Sequence, residues 1–193
     1  MATSLFVLLF ASLLAPNPKP SASAATPTAT AQANSLGAPG CGATDVEFDV
    51  KTDGGKHSVP VPDAGKAIVV FLQDDAKFGS RPRPTTRFGI DGAWVGATHA
   101  NSFFFVSIDP GEHHLCANWQ SRVILTGPSR ATSAAHFAAE VGNVYYFRAR
   151  DIAITDHSGA VVSEPEVRLE PVDSDEAQVL IASFAFSESH AKK

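Results

Sequence analysis

The spacing of apolar residues after position 44 constrains the fold of this chain more than any other feature. Val46, Phe48 and Val50 alternate with charged residues, which is the pattern of a half-buried strand. Residues 66–73 form an almost continuous apolar and β-branched run, as expected of a strand that is covered on both faces. These segments predict a mainly β protein.

Short turns separate the predicted strands. Asp91-Gly92 joins two apolar segments, and a two-residue Asp-Gly loop suits the type I′ turn of a β-hairpin. Pro110, Gly111 and Gly142 mark two further turns, because proline and glycine supply the backbone angles that turns need. Many short strands at this spacing predict an antiparallel β-sandwich.

The C-terminal part of the chain changes character. Ser174 can cap a helix whose first turn holds Asp175 and Glu176, and the helix dipole favours negative charge there. We therefore expect one short C-terminal helix after about eight strands. The β-sandwich domain is expected over residues 44–187, with a tail over residues 188–193.

The N-terminal part differs in composition from the rest. An uncharged apolar run at residues 4–15 is shorter than the roughly 20 residues that span a membrane, and a Pro/Ala/Ser/Thr-rich stretch follows it. We expect a signal peptide over residues 1–33, cleaved after about Ala24 or Ala33, and a flexible spacer over residues 34–43. The mature chain is then exported, periplasmic or extracellular, and contains no transmembrane helix.

Cys41 and Cys116 are the two cysteines of the chain. An even number of cysteines in an oxidising compartment predicts a disulfide, and two free buried thiols are the alternative. The disulfide would close a loop of 75 residues, to which chain entropy assigns roughly 4 kcal/mol of stabilisation.

Charge argues against nucleic acid as a partner. The chain carries a net charge of −5, and acidic residues dominate positions 151–176, where Arg168 is the single basic residue. Such a surface repels phosphate backbones and anionic lipid head groups. We expect no nucleic-acid binding.

Histidine is the best place to look for chemistry. On a strand, Glu112, His114 and Cys116 share one face and could hold a metal ion if Cys116 is a free thiol. A secreted metal-binding protein or hydrolase that uses Glu112, His114 and Asp109 is therefore the alternative function. The chain contains no G-x-S-x-G and no glycine-rich nucleotide motif, so we expect no enzyme and no cofactor.

Aromatic residues offer a binding hypothesis. Phe103, Phe104 and Phe105 are consecutive, so Phe104 faces away from its two neighbours. If one face is core, the other can present aromatic surface beside Trp94, and Tyr146 poses the same question. The alternative is that the second sheet and the C-terminal helix cover both faces.

Three turn-and-strand clusters resemble a known family. Asp91-Gly92 between strands, Pro110-Gly111-Glu112-His113 and Gly142-Asn143-Val144-Tyr145-Tyr146 resemble the bacterial envelope domain family DUF2846 over about residues 64–185. The chain is also similar to PEGA-like and carboxypeptidase-regulatory-like sandwiches.

The resemblance implies an exported or membrane-tethered β domain of unknown function, and it supplies no catalytic residues. We therefore expect a non-catalytic binding or structural module of the cell envelope. Its partner would be an envelope protein or a glycan.

Overall fold

A computed structural model describes residues 40–55, 57–120 and 129–193. The predicted signal peptide and most of the predicted spacer lie outside these residues. In chain order, the described elements are β1 (Phe48–Asp53), β2 (Ala67–Phe78), β3 (Thr85–Ile90), β4 (Ala93–His99), β5 (Ser102–Ile108), β6 (Gly111–Trp119), β7 (Thr132–Ala139), β8 (Val144–Ala153), β9 (Glu166–Val172), α1 (Ser174–Ser183) and β10 (Ala185–Ala191).

The strands form two sheets that pack face to face. The larger sheet has the order β1-β10-β5-β2-β8-β9, and the smaller has the order β4-β3-β6-β7. The predicted mainly β sandwich with a short C-terminal helix is confirmed. The pairing is not purely antiparallel, because β2 pairs with β8 and β5 pairs with β10 in parallel.

The turns have two different roles. Asp91 and Gly92 have φ angles of 50° and 84° and join the paired strands β3 and β4, which confirms the predicted type I′ hairpin. The turn at Pro110 and Gly111 joins β5 to β6, which belong to different sheets. Because such a turn places consecutive strands in different sheets, a strand can pair in parallel with one that the chain adds to the same sheet later, as β8 does with β2.

Aromatic side chains from both sheets meet in the core. The ring centroid of Phe71 lies 4.7 Å from that of Phe88 and 5.4 Å from that of Phe104. Phe88 and Phe104 meet edge to face at 5.7 Å, an arrangement that stabilises aromatic pairs beyond simple burial. Gly96 of β4 makes room for this packing, because a Cβ atom there would lie 2.7 Å from the Phe104 ring.

Helix α1 covers the outer face of the larger sheet. Leu180, Ile181 and Phe184 pack against a second buried cluster that contains Ile68 and Phe103, so β2 is buried on both faces as predicted. Among the described residues, no helix has the length and apolar character that membrane crossing requires.

Two expectations about the C-terminal part are wrong. The helix is capped by Asp173, whose carboxylate accepts hydrogen bonds from the Asp175 and Glu176 N–H groups, and Ser174 is already the first helical residue. Most of the predicted tail, residues 188–193, belongs to β10, which pairs with β1. The side chain of Phe186 is partly buried and that of Ser187 is buried. This burial stabilises a strand that the polar residues of the segment did not predict.

Residues 40–47 cross the outer face of the smaller sheet, and we call them the N-terminal strap. The indole Nε1 of Trp94 donates a hydrogen bond to the Ala43 carbonyl at 2.6 Å. Arg87 donates to the carbonyls of Thr44 and Val46. The end of the predicted spacer is therefore packed on the domain, which begins before residue 44.

Side chains occupy the hydrogen-bonding positions of the outer strands. The Gln120 amide bonds both the N–H and the carbonyl of Phe48 in β1, at 2.6 and 2.7 Å. In β4, the Ala97 N–H donates a hydrogen bond to the Ser189 hydroxyl, and the Ala97 carbonyl accepts one from the Ser187 hydroxyl, each at 3.0 Å. The Leu169 N–H of β9 donates to the Ser133 hydroxyl at 3.0 Å. These contacts satisfy backbone groups that a strand edge otherwise leaves open.

Candidate functional site

Three described connections meet at one end of the sandwich. The pairing directions bring together the β2–β3, β4–β5 and β8–β9 connections, beside the end of β6 and the start of β7, and we call this region the loop end. Loops that a rigid sheet scaffold positions carry a large share of known binding residues. The loop end is therefore where we look for a site.

A network of polar side chains lies directly beneath the loop end. The fully buried polar residues in this network come from both sheets and are Gln73, Asp75, Thr86, Thr98 and Asp151. Burying this many polar groups is unfavourable unless they are hydrogen-bonded. Their positions therefore demand a specific arrangement of donors and acceptors.

Gln73 lies at the centre of this network. Its amide nitrogen is 2.9 Å from the Asp75 carboxylate, 2.8 Å from the Asp151 carboxylate and 3.0 Å from the Pro84 carbonyl. Its amide oxygen accepts a hydrogen bond from the Thr98 hydroxyl at 2.7 Å. One amide thus joins two acidic side chains and both sheets.

Asp151 receives further donors from the smaller sheet. The indole Nε1 of Trp119 donates to its Oδ1 at 2.8 Å, and the Thr86 hydroxyl donates to its Oδ2 at 3.3 Å. Burial raises the pKa of Asp151 well above its ordinary value, and the negative charge of Asp75 raises this pKa further. The arrangement therefore favours the protonated form of the Asp151 carboxyl group.

Asp75 connects the network to the surface. Its backbone N–H donates to the side-chain oxygen of Asn101 at 2.9 Å, and its Oδ2 lies 3.3 Å from Arg83 Nη1. Within the described part of the chain, that Oδ2 has no hydrogen-bond partner, so the Arg83 guanidinium balances its charge through the ion pair.

An open depression lies above this connection. Its volume is about 670 Å³, and its lining residues are Arg81, Pro82, Arg83, His99, Ala100 and Asn101. None of the described side chains in this lining is a carboxylate. On the far side of His99, a second depression of about 580 Å³ is lined by Glu47, Phe48, Asp49, Val50, Thr85, His99, Gln120 and Lys192.

Sequence reasoning did not identify the loop end as a site. A signal was present, because Gln73 and Asp75 continue the inward-facing positions of β2, where Val69 and Phe71 are apolar. A polar residue at such a position indicates a buried hydrogen-bond network. Asp151 of β8 gave a similar signal, because it continues the inward-facing positions of Phe147 and Ala149.

The predicted cysteine pair is close in space and forms a disulfide. Cys41 of the strap and Cys116 of β6 are bonded, with their Cα atoms 5.0 Å apart. This bond removes Cys116 as a potential metal ligand. It also ties the strap to the centre of the smaller sheet.

The residues of the alternative metal or hydrolase site contact different partners: Asp109 contacts Lys66, whereas Glu112 and His114 both lie beside His136. Asp109 forms an ion pair with Lys66 at 2.7 Å, whereas Glu112 lies 3.8 Å from His136. The His114 ring stacks on that of His136, with centroids 6.0 Å apart. Among residues 40–55, 57–120 and 129–193, no three His, Cys, Asp or Glu side chains are placed to hold a metal ion.

The three aromatic binding candidates have different surroundings. Phe104 is buried between the sheets, so the expectation that it forms a binding surface is wrong: β5 is covered on both faces. Trp94 is partly buried beneath the strap, and the Arg87 guanidinium lies 4.3 Å from its ring centroid. Tyr146 is partly buried and packs against the cluster beneath α1, and burial raises its pKa.

Asp91 does more than form a turn. One carboxylate oxygen accepts a hydrogen bond from the His114 N–H at 2.8 Å, and the other lies 2.6 Å from the His113 ring nitrogen Nδ1. The second ring nitrogen, Nε2, lies 2.9 Å from the Asp109 carbonyl. The His113 imidazole thus links the turn at Asp91, between β3 and β4, to Asp109, between β5 and β6.

Comparison with known proteins gives no relatives. No protein-family model, no curated protein and no solved structure matches this chain.

Proposed function

We propose that this chain is an exported, non-catalytic binding module of the bacterial cell envelope, and that its ligand binds at the loop end. The observation that carries this proposal is the open depression lined by Arg81, Arg83, His99 and Asn101. A buried hydrogen-bond network lies beneath this depression. A concave site on a rigid scaffold is the usual form of a ligand site.

Two further observations support export and membership of the envelope. The disulfide between Cys41 and Cys116 is the kind of bond that persists in oxidising compartments. The apolar N-terminal run and the resemblance to the family DUF2846 point to the same location. The burial of Asp75 and Asp151 in the network supports a structural role for these two carboxyl groups.

The binding part of the proposal can be tested by co-sedimentation with isolated peptidoglycan and outer-membrane fractions. The wild-type protein is compared with the loop-end double variant Arg81→Gln/His99→Gln and with Glu112→Gln/His114→Gln as the matched control. We expect at least one fraction to retain the wild-type protein, and the loop-end variant to lose at least about four fifths of that binding. Retention of the loop-end variant, or loss in the control, would contradict the proposal.

The export part can be tested separately in a bacterium that expresses the full chain. We expect the periplasmic protein to resist alkylation of both thiols until it is reduced, and its mass to lie two units below that of the reduced form. Alkylation of Cys41 and Cys116 without prior reduction would show that the protein does not reach an oxidising compartment.

A further inference from the structure

The loop-end depression presents hydrogen-bond donors and positive charge. Within the part of the chain that the structure describes, the exposed guanidinium group of Arg81 contacts no hydrogen-bond or ion-pair partner. Arg83 reaches Asp75 through Nη1 alone, which leaves its other nitrogens available. The side-chain nitrogen of Asn101 is also available, because its oxygen is the atom that bonds the Asp75 N–H.

This local charge is opposite to that of the whole molecule. The chain has a net charge of −5, whereas two arginines line the depression and, among the described residues, none of its lining side chains is acidic. A concave surface of one charge sign concentrates ligands of the other sign. The planar guanidinium fork also matches the geometry of carboxylate and phosphate groups, to which it donates two parallel hydrogen bonds.

The buried ion pair beneath the depression fixes the position of one arginine. Asp75 has no exposed surface, so the Arg83 group that contacts it is held against the floor of the site. A held guanidinium loses less side-chain entropy when it binds a ligand. The acidic residues Glu47 and Asp49 lie beyond His99 in the second depression, and they limit the anionic part of a ligand to the side of Arg81.

We infer that the loop end binds an oxyanion, a carboxylate or phosphate group carried by its envelope ligand, through Arg81 and Arg83. This inference rests on the proposed function and specifies the chemistry of the ligand. Arg81 supplies the free guanidinium fork, Arg83 the fixed one, and Asn101 a neutral donor at the rim.

The inference is tested by NMR titration of the wild-type protein with inorganic phosphate and, in a parallel titration, with acetate. We expect saturable shifts of the Arg81, Ala100 and Asn101 amide signals with at least one anion, and the stronger anion identifies the group. Arg81→Gln should weaken binding at least fivefold. Arg81→Lys should weaken it about two- to threefold, because the charge remains while the fork is lost.

Arg168→Gln is the matched control, since Arg168 is an exposed arginine of β9 that pairs with Glu166. We expect its affinity to remain within about twofold of wild type. Equal weakening in Arg168→Gln and Arg81→Gln, or the absence of saturable shifts at the loop end, would overturn the inference. If envelope fractions still retain the protein in that case, the ligand chemistry is wrong while the binding module stands.

Discussion

His113 faces a hydrogen-bond acceptor with each of its two ring nitrogens, the carboxylate of Asp91 and the carbonyl of Asp109. Only the protonated ring donates from both nitrogens. Burial lowers the pKa of His113, but these hydrogen bonds outweigh burial and place its pKa above the ordinary value. Burial likewise raises the pKa of Asp91, and the bonds from His114 and His113 lower it below the ordinary value.

The signs of these two shifts define a pH window. A raised histidine pKa stabilises the fold fully below about pH 6.5, and this stabilisation is lost as the pH rises through the folded-state pKa. The lowered pKa of Asp91 stabilises the fold above about pH 4 and loses its effect as the pH falls. The pair therefore contributes most between about pH 4 and pH 6.5.

For His113→Asn, we expect the loss in unfolding free energy to be about 0.5–1 kcal/mol larger at pH 5.5 than at pH 8.5, because the ion pair is partly exposed. Urea unfolding at the two pH values measures this difference. His157→Asn, which changes an exposed loop histidine, should show no such dependence. A loss for His113→Asn that is equal at both pH values would disprove the assignment.

At the scale of elements, the strap and α1 each cover one outer face of the sandwich. The strap fits closely, because a Cβ atom at Gly42 would lie 2.5 Å from Cδ1 of the Trp94 indole. Helix α1 begins where the Asp173 carboxylate accepts two backbone N–H groups, at 2.9 and 3.0 Å. Each element thus includes a local contact that its composition hardly reveals.

Gly42→Ala is expected to lower the unfolding free energy by about 1–3 kcal/mol, since the added methyl group must displace the Trp94 ring or the strap. Denaturant unfolding followed by tryptophan fluorescence measures the change. Gly54→Ala provides the control, because a Cβ atom there meets nothing within 4 Å. Equal stabilities of the two variants would show that the strap is not tightly packed.

Asp173→Ala is expected to destabilise the protein by about 1 kcal/mol, whereas Asp173→Asn should retain most of the stability, because an amide oxygen also caps helices well. Amide hydrogen exchange in α1 resolves the effect, with faster exchange in Asp173→Ala at the first turn. Ser174→Ala should leave this exchange unchanged, and a loss of protection there would restore Ser174 as the cap.

At the scale of the whole molecule, the buried network couples the two sheets. Because the pKa of Asp151 is raised, the folded protein keeps a proton that the unfolded chain releases above about pH 4. The unfolding free energy therefore falls as the pH rises from about 4 toward the folded-state pKa, by at most about 1.4 kcal/mol per pH unit for one proton.

Asp75→Asn removes the negative charge that raises the pKa of Asp151, so we expect a shallower decline of stability with rising pH. Chemical unfolding of wild type and variant at pH 5, 7 and 9 gives the two slopes. The exposed Asp63, whose side chain lies outside the network, serves as the control in Asp63→Asn. Parallel slopes for wild type and Asp75→Asn would mean that the charge of Asp75 does not raise the pKa of Asp151.

Local patterns predicted much of the molecule, and non-local pairing accounts for the rest. The run at residues 66–73 predicted a strand buried on both faces, and Asp91-Gly92 predicted the hairpin. The parallel pairing of β2 with β8 depends on connections that change sheets, which no local pattern encodes.

The loop end escaped prediction for the same reason. Its depression joins Arg81 and Arg83 of the β2–β3 connection to Asn101 of the β4–β5 connection and to His99 at the end of β4. These residues are neighbours only because β3 lies beside β4 and β2 beside β5.

The side chains that bond the outer strands have a consequence for how copies of this protein meet. With Gln120 on Phe48 of β1, Ser187 and Ser189 on Ala97 of β4, and Ser133 on Leu169 of β9, side chains occupy backbone groups on three of the four edge strands, where a second molecule could otherwise add a strand. Concentrated solutions of the folded chain should therefore resist strand addition at β1, β4 and β9.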